Sequence, residues 1–423
     1  MTGLLRQTWA LLLGIAIFML GYGLQGTLLG VRAKLAGFST TTTGLIMSGY
    51  YLGMLLGSLR GPVLVARVGH VRVFAALLSL ASAAVLVHAM LVQPFAWFVL
   101  RLLVGYCFAG VFVVAESWLN GAASNANRGQ LLSVYMVVQM GGLAIGQFLL
   151  NLADPVDFQL FALISMLISV AAVPMLLTAA ATPPLTKPRK IGLGALYRLS
   201  PLGVVGVVGV GLAHSALYAM GPVYAASQQL SLAAIANFMA AIVLGGVVFQ
   251  LPLGRLSDRI DRRWLIAVVA LLTAVAALPF ALHAGLPQAW LLPGFFVIGG
   301  LSLPLYALSV AHTNDFLTPE QIVGASAALI LAYGIGAAIG PTLAAITMQL
   351  VGPTGFALHL AVVHGGIGLF ACYRMTRRPT VPATERGPFQ PLAKPTPMVT
   401  PPAPESSRHA SATMATGELL DAG

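Results

Sequence analysis

Charged side chains are scarce in this sequence. Among its 423 residues are 22 lysines and arginines and 11 aspartates and glutamates, so charged residues make up 8% of the chain and apolar residues 58%. A soluble domain carries roughly 25% charged residues, and no water-soluble core of this size hides so much apolar surface. The composition therefore excludes a soluble globular protein and indicates a chain that lies in a lipid bilayer.

Cysteine is also scarce, and its placement bounds the chemistry. Cys107 and Cys372 lie in separate apolar runs without metal-ligand spacing, so we expect two small buried side chains and neither a disulfide nor a metal site. The sequence has no His-Glu-x-x-His motif, no paired aspartates within an apolar run and no Walker loop. These absences argue against a membrane enzyme and an ATP-driven pump, and we expect no cofactor.

The net charge of +11 is a signal of topology. It comes from loops and not from a basic stripe with interleaved aromatic residues, so we expect no nucleic-acid partner. If the N-terminus is cytoplasmic, the cytoplasmic loops hold fifteen lysines and arginines, against Arg32 and Lys34 on the other side. Positively charged loops remain in the cytoplasm, so the bias predicts that both termini are cytoplasmic.

Apolar runs of membrane-spanning length recur from Trp9 to Tyr373. About 20 residues of helix cross the hydrocarbon core of a bilayer, and the runs lack the alternating pattern of a membrane β-barrel. The sequence predicts an all-α membrane protein with twelve transmembrane helices.

The longest internal connection divides the chain. Residues 182–200 are rich in proline and basic residues and are predicted to be a cytoplasmic linker between a six-helix bundle at 1–181 and another at 201–378. Residues 379–423 are rich in proline and small polar residues, which do not support a packed core, so we expect a disordered cytoplasmic tail.

The two halves are weakly similar at an offset of 192 to 196 residues, which is typical of a fold built from two related bundles. A Gly-x-x-x-Gly pair recurs in both halves and lets helix backbones approach closely, so we expect it to serve packing more than binding. Pro341 follows the second pair and predicts a local bend. The paired glycines are Gly142 and Gly146 in the first half and Gly336 and Gly340 in the second.

The stretch LGRLSDRIDRR at 253–263 concentrates charge in an otherwise apolar sequence. It resembles the loop signature of the major facilitator superfamily of secondary transporters, which occurs in that family after the second span and again after the eighth. The first-half copy at 62–72 keeps Arg67 and Arg72 but has Ala66 at the acidic position. The residues that match in the second half are Gly254, Asp258, Arg259, Arg262 and Arg263.

The resemblance implies twelve helices in two pseudo-symmetric bundles that expose a central site to one side at a time. It also implies that Asp258, Arg259 and nearby loop charges form a network that stabilises one state of this cycle. The alternative is an exposed loop whose charges only fix topology. Glu116 lies near the same end of the fourth span, and we expect it to pair with a loop arginine such as Arg67 or Arg72. Glu116 is interpreted as a structural or gating residue, with proton carriage as the alternative. The runs AESWLN and NANRG resemble a small group of bacterial inner-membrane facilitator proteins whose substrates are unassigned, so we expect this chain in that membrane. We also expect a monomer.

Arg101 is the strongest candidate for a residue that binds substrate or takes part in proton coupling. With Gly105 it matches the arginine and glycine of the fourth span in the superfamily. A permanently charged, bidentate donor suits a carboxylate or a phosphate, although a long side chain near a helix end can also extend to the membrane surface. His214, in the middle of the seventh span, is a candidate for proton coupling or a histidine that is simply hydrogen-bonded.

The superfamily's central cavity is lined mainly by spans one, four, seven and ten. Polar side chains there orient a ligand, or else form hydrogen bonds between helices. Carried onto this chain, the resemblance implies a site formed by Gln25, Arg101, Gln139, His214, Tyr218, Asn237, Tyr306 and Tyr333.

The sequence therefore predicts a secondary transporter of a small organic solute, driven by protons. Because no acidic residue lies in the middle of a span, we expect an anionic or zwitterionic substrate rather than an organic cation. The alternatives are multidrug-type efflux of lipophilic compounds and a transporter-derived sensor whose signal passes through the tail.

Overall fold

The computed structural model describes residues 2–123, 127–177, 191–284, 286–377, 387 and 389. All regular secondary structure in this part of the chain is helical. The first-half helices are α1 (Thr2–Leu35), α2 (Thr40–Val68), α3 (His70–Met90), α4 (Pro94–Ala122), α5 (Arg128–Phe148), α6 (Gln159–Val170) and α7 (Val173–Leu176). The others are α8 (Leu193–Leu199), α9 (Pro201–Ser227), α10 (Leu232–Arg259), α11 (Arg262–Leu282), α12 (Leu291–Ser302), α13 (Leu305–Asn314), α14 (Pro319–Val351) and α15 (Gly355–Met375).

Side chains in the loops cap several of these helices. The Ser39 hydroxyl accepts a hydrogen bond from the backbone N–H of Thr42 at 3.1 Å, and the Gln93 side chain accepts one from Ala96 at 2.9 Å. Pro94 occupies the first turn of α4, where its missing N–H costs nothing. A helix pairs all its backbone N–H and C=O groups by internal hydrogen bonds except those at its ends. Caps pair some of these terminal groups as well, so few backbone groups are left without a partner in lipid.

Eleven helical stretches are long and apolar enough to cross a membrane in the part of the chain that the structure describes. They coincide with all the predicted spans except the second. That span corresponds to α2, which has 29 residues but begins with a run of threonines and contains two arginines. The all-helical membrane fold is thus confirmed, whereas the twelfth crossing remains a prediction.

The outer surface of the helices is apolar. Leu80, Val137, Leu272 and Leu369 are each between 45% and 66% exposed, although they lie within long helices. Exposure of many large apolar side chains costs free energy in water and none in hydrocarbon. The surface therefore matches a lipid environment.

Helix pairing in the first half recurs in the second. In the first half α2 packs along α4, α1 along α5 and α3 along α6. In the second half α10 packs along α12, α9 along α14 and α11 along α15, which are the corresponding helices of the predicted repeat. The predicted linker is partly helical, since it contains α8. This helix packs against α9 and α14. Residues 178–190 and all of the predicted tail except Gly387 and Phe389 lie outside the described residues.

The first glycine pair lies where α5 crosses α1. A Cβ atom added to Gly142 would lie 2.6 Å from the Cβ of Met19, and one added to Gly146 would lie 2.5 Å from the carbonyl oxygen of Leu20. Both distances are shorter than atoms tolerate, so only glycine permits this helix approach.

The second pair lies at the equivalent crossing, between α14 and α9. A Cβ atom on Gly336 would lie 2.1 Å from the Val208 oxygen, and one on Gly340 would lie 2.3 Å from the Leu212 oxygen. Pro341 lies inside α14 directly after the pair. The same packing device thus joins the equivalent helices of both halves.

The halves contact each other at one end of the molecule. We call the end with the α2–α3 and α10–α11 loops the motif end and the other the opposite end. Near the opposite end, Lys34 donates a hydrogen bond to the Ala226 carbonyl, and the hydroxyls of Ser48 and Thr342 lie 2.8 Å apart. Towards the motif end, α4 of the first half does not pack closely against α13 of the second half in the described part of the chain. The space between the halves is therefore closed at the opposite end.

Two adjacent glycines test the importance of this packing. Gly142→Ala is expected to destabilise the protein by about 1–3 kcal/mol, because the new methyl group overpacks the crossing with α1. Gly141→Ala is the control, since a Cβ atom at Gly141 meets no atom within 4 Å. Thermal unfolding of the purified variants in detergent measures the effect, and equal melting temperatures would contradict the packing role.

Candidate functional site

A cavity lies between the halves. Its walls come from α1, α2, α4, α5, α9 and α10, so both halves contribute. The lining residues are Tyr22, Gly23, Gln25, Gly26, Thr27, Tyr50, Tyr51, Arg101, Leu143, Gln147, Tyr218, Ala219 and Met239.

The α2–α4 crossing brings two lining residues together. A Cβ atom on Gly105 would lie 2.0 Å from the carbonyl oxygen of Tyr50, and one on Gly53 would lie 2.0 Å from that of Leu102. Reciprocal glycines therefore let the two backbones touch. This approach sets the guanidinium carbon of Arg101 4.3 Å from the centroid of the Tyr50 ring, within range of a cation–π interaction.

Arg101 has no counter-ion in the part of the chain that the structure describes. Its side chain is 4% exposed, and its Nε atom has no hydrogen-bond partner among these residues. The ion pairs there involve other arginines, and no acidic side chain lines the cavity. A buried charge without a counter-ion costs several kcal/mol, and an anion in the cavity would reduce that cost.

Amide groups on α1 and α5 extend the polar part of the wall. The Nε2 atom of Gln25 is buried and lacks a hydrogen-bond partner among the described residues. The Gln147 side chain is held by a short hydrogen bond from Thr27 and by its own bond to the Leu143 carbonyl at 3.1 Å. Gln25 and Arg101 thus each line the cavity and each hold a buried donor without a partner among the described residues, which is unfavourable.

Tyrosines form the less polar part of the wall. The rings of Tyr22 and Tyr50 are 6.2 Å apart and those of Tyr50 and Tyr51 are 5.1 Å apart, both with edge-to-face geometry. Aromatic faces provide apolar contact area for an organic ligand, while a few polar groups fix its orientation. The arrangement suits an organic solute with one charged group.

Three of the eight predicted site residues line this cavity, namely Gln25, Arg101 and Tyr218. Another predicted residue, His214, forms a hydrogen bond between helices, with its Nε2 atom 3.0 Å from the Ser302 carbonyl oxygen. Tyr333 stacks edge-to-face with Tyr306 at 5.6 Å.

The remaining predicted residues lie outside the lining. Gln139 is buried on α5, whereas Asn237 is exposed on α10. Glu116 is 1% exposed and accepts a hydrogen bond from the Tyr135 hydroxyl at 3.4 Å. The coupling or gating roles given to these side chains remain predictions.

The contribution of α2 to the cavity was not predicted, because α2 is not among the helices that the superfamily resemblance assigns to the cavity. The adjacent Tyr50 and Tyr51, two aromatic hydroxyls within an apolar run, were the available signal. Gln147 was also not predicted to line the cavity. The available signal was an amide side chain inside the fifth predicted span.

The charge network at the motif end is centred on Arg262, which is 2% exposed. Its guanidinium pairs with Asp258 at 2.9 Å and with Asp315 at 2.5 Å, so it joins α10, α11 and α13. Arg263 pairs with Asp261 at 2.7 Å. Asp315 was not predicted, since nothing in the sequence relates it to the loop 53 residues earlier.

The predicted first-half part of the network differs. Arg67 and Arg72 are exposed, and the structure shows no ion pair for either with the described residues. This copy of the motif has Ala66 where the other has Asp258, so it lacks the carboxylate that binds Arg262 in the second half. Arg259 is exposed as well.

Comparison with known families identifies the fold. The family model of the Major Facilitator Superfamily matches residues 11–247 and 204–412, which together span most of the chain. The chain belongs to the major facilitator superfamily. Superfamily members are transporters, and this chain is a multi-pass membrane protein among them.

Similar superfamily members include the uncharacterised MFS-type transporter YcaD of Salmonella newport, which is 28% identical over 346 residues, covering 81% of this chain and 89% of YcaD. The nucleoside transporter NupG has a similar structure, with a TM-score of 0.70, 13% identity and coverage of 88% and 99% of the two chains. The human organic anion transporter MFSD10 has a TM-score of 0.61 at 18% identity, with coverage of 86% and 99%. At these identities the structural likeness shows the fold.

Removal of the uncompensated charge provides a test of the site. Arg101→Met is expected to stabilise the ligand-free protein by about 1–4 kcal/mol, because an apolar side chain of similar length removes an unpaired buried charge. Thermal unfolding in a buffer without organic anions measures this, with Arg101→Lys as the variant that retains the charge. A lower melting temperature for Arg101→Met than for Arg101→Lys would show that Arg101 has a structural partner instead.

Proposed function

We propose that this protein is a secondary transporter that moves a small organic anion across the bacterial inner membrane by alternating access. The main support is the burial of the Arg101 guanidinium in a cavity between the halves. No acidic residue is among the described residues that line this cavity. A substrate carboxylate or phosphate would supply the missing counter-charge through paired hydrogen bonds.

The geometry of the site supports an organic anion over an inorganic one. Tyr22, Tyr50 and Tyr51 cover one part of the wall, and Leu143 and Met239 another. A small inorganic ion would leave these apolar surfaces without contact, whereas the apolar part of an organic anion would pack against them.

The arrangement of the halves supports alternating access. They contact each other near the opposite end, where Gly30 approaches Pro222 and Gly44 approaches Ala345. Rocking about these contacts would close the motif end and open the opposite end around a fixed midplane site. We place the motif end in the cytoplasm because positively charged loops favour that side. We also propose that α2 is the twelfth crossing, since it packs along the membrane-spanning α4.

A thermal-shift screen tests the substrate class. We expect one or more small organic carboxylates or phosphates to raise the melting temperature of the wild-type protein, and the matching methyl ester or alcohol to have no effect. Arg101→Met should weaken binding by at least about tenfold in apparent Kd, the typical result of losing a charge-assisted hydrogen bond, and should thereby remove the shift.

The control is Arg60→Met, which removes an arginine from an exposed position on α2. This variant should retain the shift. Stabilisation by neutral lipophilic compounds that persists in Arg101→Met would favour multidrug-type efflux and would contradict the anion proposal.

Proton coupling is the second part of the proposal. In proteoliposomes an imposed pH gradient should drive the anion above its equilibrium concentration, and His214→Gln should abolish this accumulation while leaving exchange of labelled for unlabelled substrate. The physical reason is that an imidazole can gain and lose a proton near neutral pH, whereas an amide cannot. His283→Gln is the control, since His283 lies exposed after α11. Unchanged accumulation by His214→Gln would exclude His214 from coupling.

A further inference from the structure

Two residues of the C-terminal segment contact the charge network at the motif end. The carbonyl oxygen of Gly387 accepts a hydrogen bond from Arg262 at 2.5 Å, and the backbone N–H of Phe389 donates one to the Asp258 carboxylate at 2.8 Å. These bonds use main-chain atoms on one side and the two central side chains of the network on the other. The segment is therefore held by charge-assisted hydrogen bonds.

The Phe389 ring fits a position that only glycine provides. A Cβ atom on Gly254 would lie 2.3 Å from the ring, so the ring rests directly on the backbone of α10. Phe389 also packs against the apolar cluster of the second half that includes Leu265 and Leu305. The partly buried Phe389 ring and the two backbone hydrogen bonds together form a specific binding site for the segment.

Arg262 has contacts besides those with the segment. It also binds Asp315 and donates to the Ala311 carbonyl at 3.3 Å, so its guanidinium is held between α11 and α13. A donor that is held in place by other contacts loses little entropy when a ligand binds it.

The site lies towards the centre of the molecule. Met239, which lines the central cavity, and Gly254 are both on α10. At about 100° per residue, fifteen residues of helix bring Gly254 to within about 60° of the Met239 direction. Gly254 therefore lies on nearly the same side of α10 as the cavity, where the first half would approach if the motif end closed.

We propose that the motif end of α10 and α11 is a binding site for Gly387 and Phe389 of the chain's own C-terminal segment, and that the docked segment opposes closure of the motif end. The first part stands on the contacts alone. The second part rests on the alternating-access proposal above.

Limited proteolysis of the full-length protein tests docking without any assumption about transport. Trypsin can cut after Arg386, directly before Gly387, and after Arg408 in the same segment. We expect the cut after Arg386 to be slow in the wild type. Phe389→Ala and Gly254→Ala should each accelerate it at least about tenfold relative to the cut after Arg408, because cleavage follows the undocked population.

Gly366→Ala is the matched control, since a Cβ atom at Gly366 meets no atom within 4 Å. It should leave the ratio of the two cuts unchanged. Equal rates after Arg386 and Arg408 in the wild type, or a ratio that neither Phe389→Ala nor Gly254→Ala changes, would overturn the docking site.

A distance measurement tests the second part. Spin labels at the equivalent positions Arg72 and Trp264, both exposed near the motif end, report the separation of the halves in a background without Cys107 and Cys372. Phe389→Ala should increase the population with the short distance at least about twofold. If that population is present but unchanged, the segment docks without opposing closure and the second part is overturned. If no variant or substrate yields a short distance, alternating access itself is contradicted.

Discussion

The guanidinium of Arg101 is the constraint on which the account depends. It is buried between two halves of a membrane protein, beside the Tyr50 ring, in a cavity whose described lining includes no acidic residue. Burial of an unpaired charge is unfavourable, so the ligand-free site carries a free-energy cost that an anion can remove. In the proposed function that cost would link stability, substrate class and transport, because the group that weakens the empty protein would also be the group that selects the substrate.

The scaffold that holds this charge depends on close backbone contacts. Glycines of α2 and α4 let these helices touch, and the Gly-x-x-x-Gly pairs do the same for α1 with α5 and for α9 with α14. Apolar surface gives helices no reason to associate in lipid, so close packing replaces it as the source of cohesion. The site is therefore positioned by residues that never touch a ligand.

The sequence was sufficient for features that depend on local composition. Membrane spans follow from apolar runs, and eleven of the twelve predicted spans coincide with helices of the described residues that are long and apolar enough to cross a membrane. The glycine pairs follow from their spacing and lie at two observed helix crossings. Features that depend on contacts between distant residues were less accessible. Asp315 joins Arg262, and Phe389 reaches Gly254, across intervals with no pattern in the sequence. Likewise, Tyr50 and Tyr51 enter the cavity only because of how closely α2 approaches α4.

Labelling of a cysteine placed in the cavity tests the central claim most directly. Gly26 lines the cavity, and a Cβ atom there meets no atom within 4 Å, so Gly26→Cys in a background without Cys107 and Cys372 is a suitable reporter. The account predicts that a membrane-impermeant maleimide modifies the introduced thiol from the motif end and that a bound organic anion slows the reaction only when Arg101 is present. Protection that persists without Arg101, or reaction from neither side of the membrane, would contradict it.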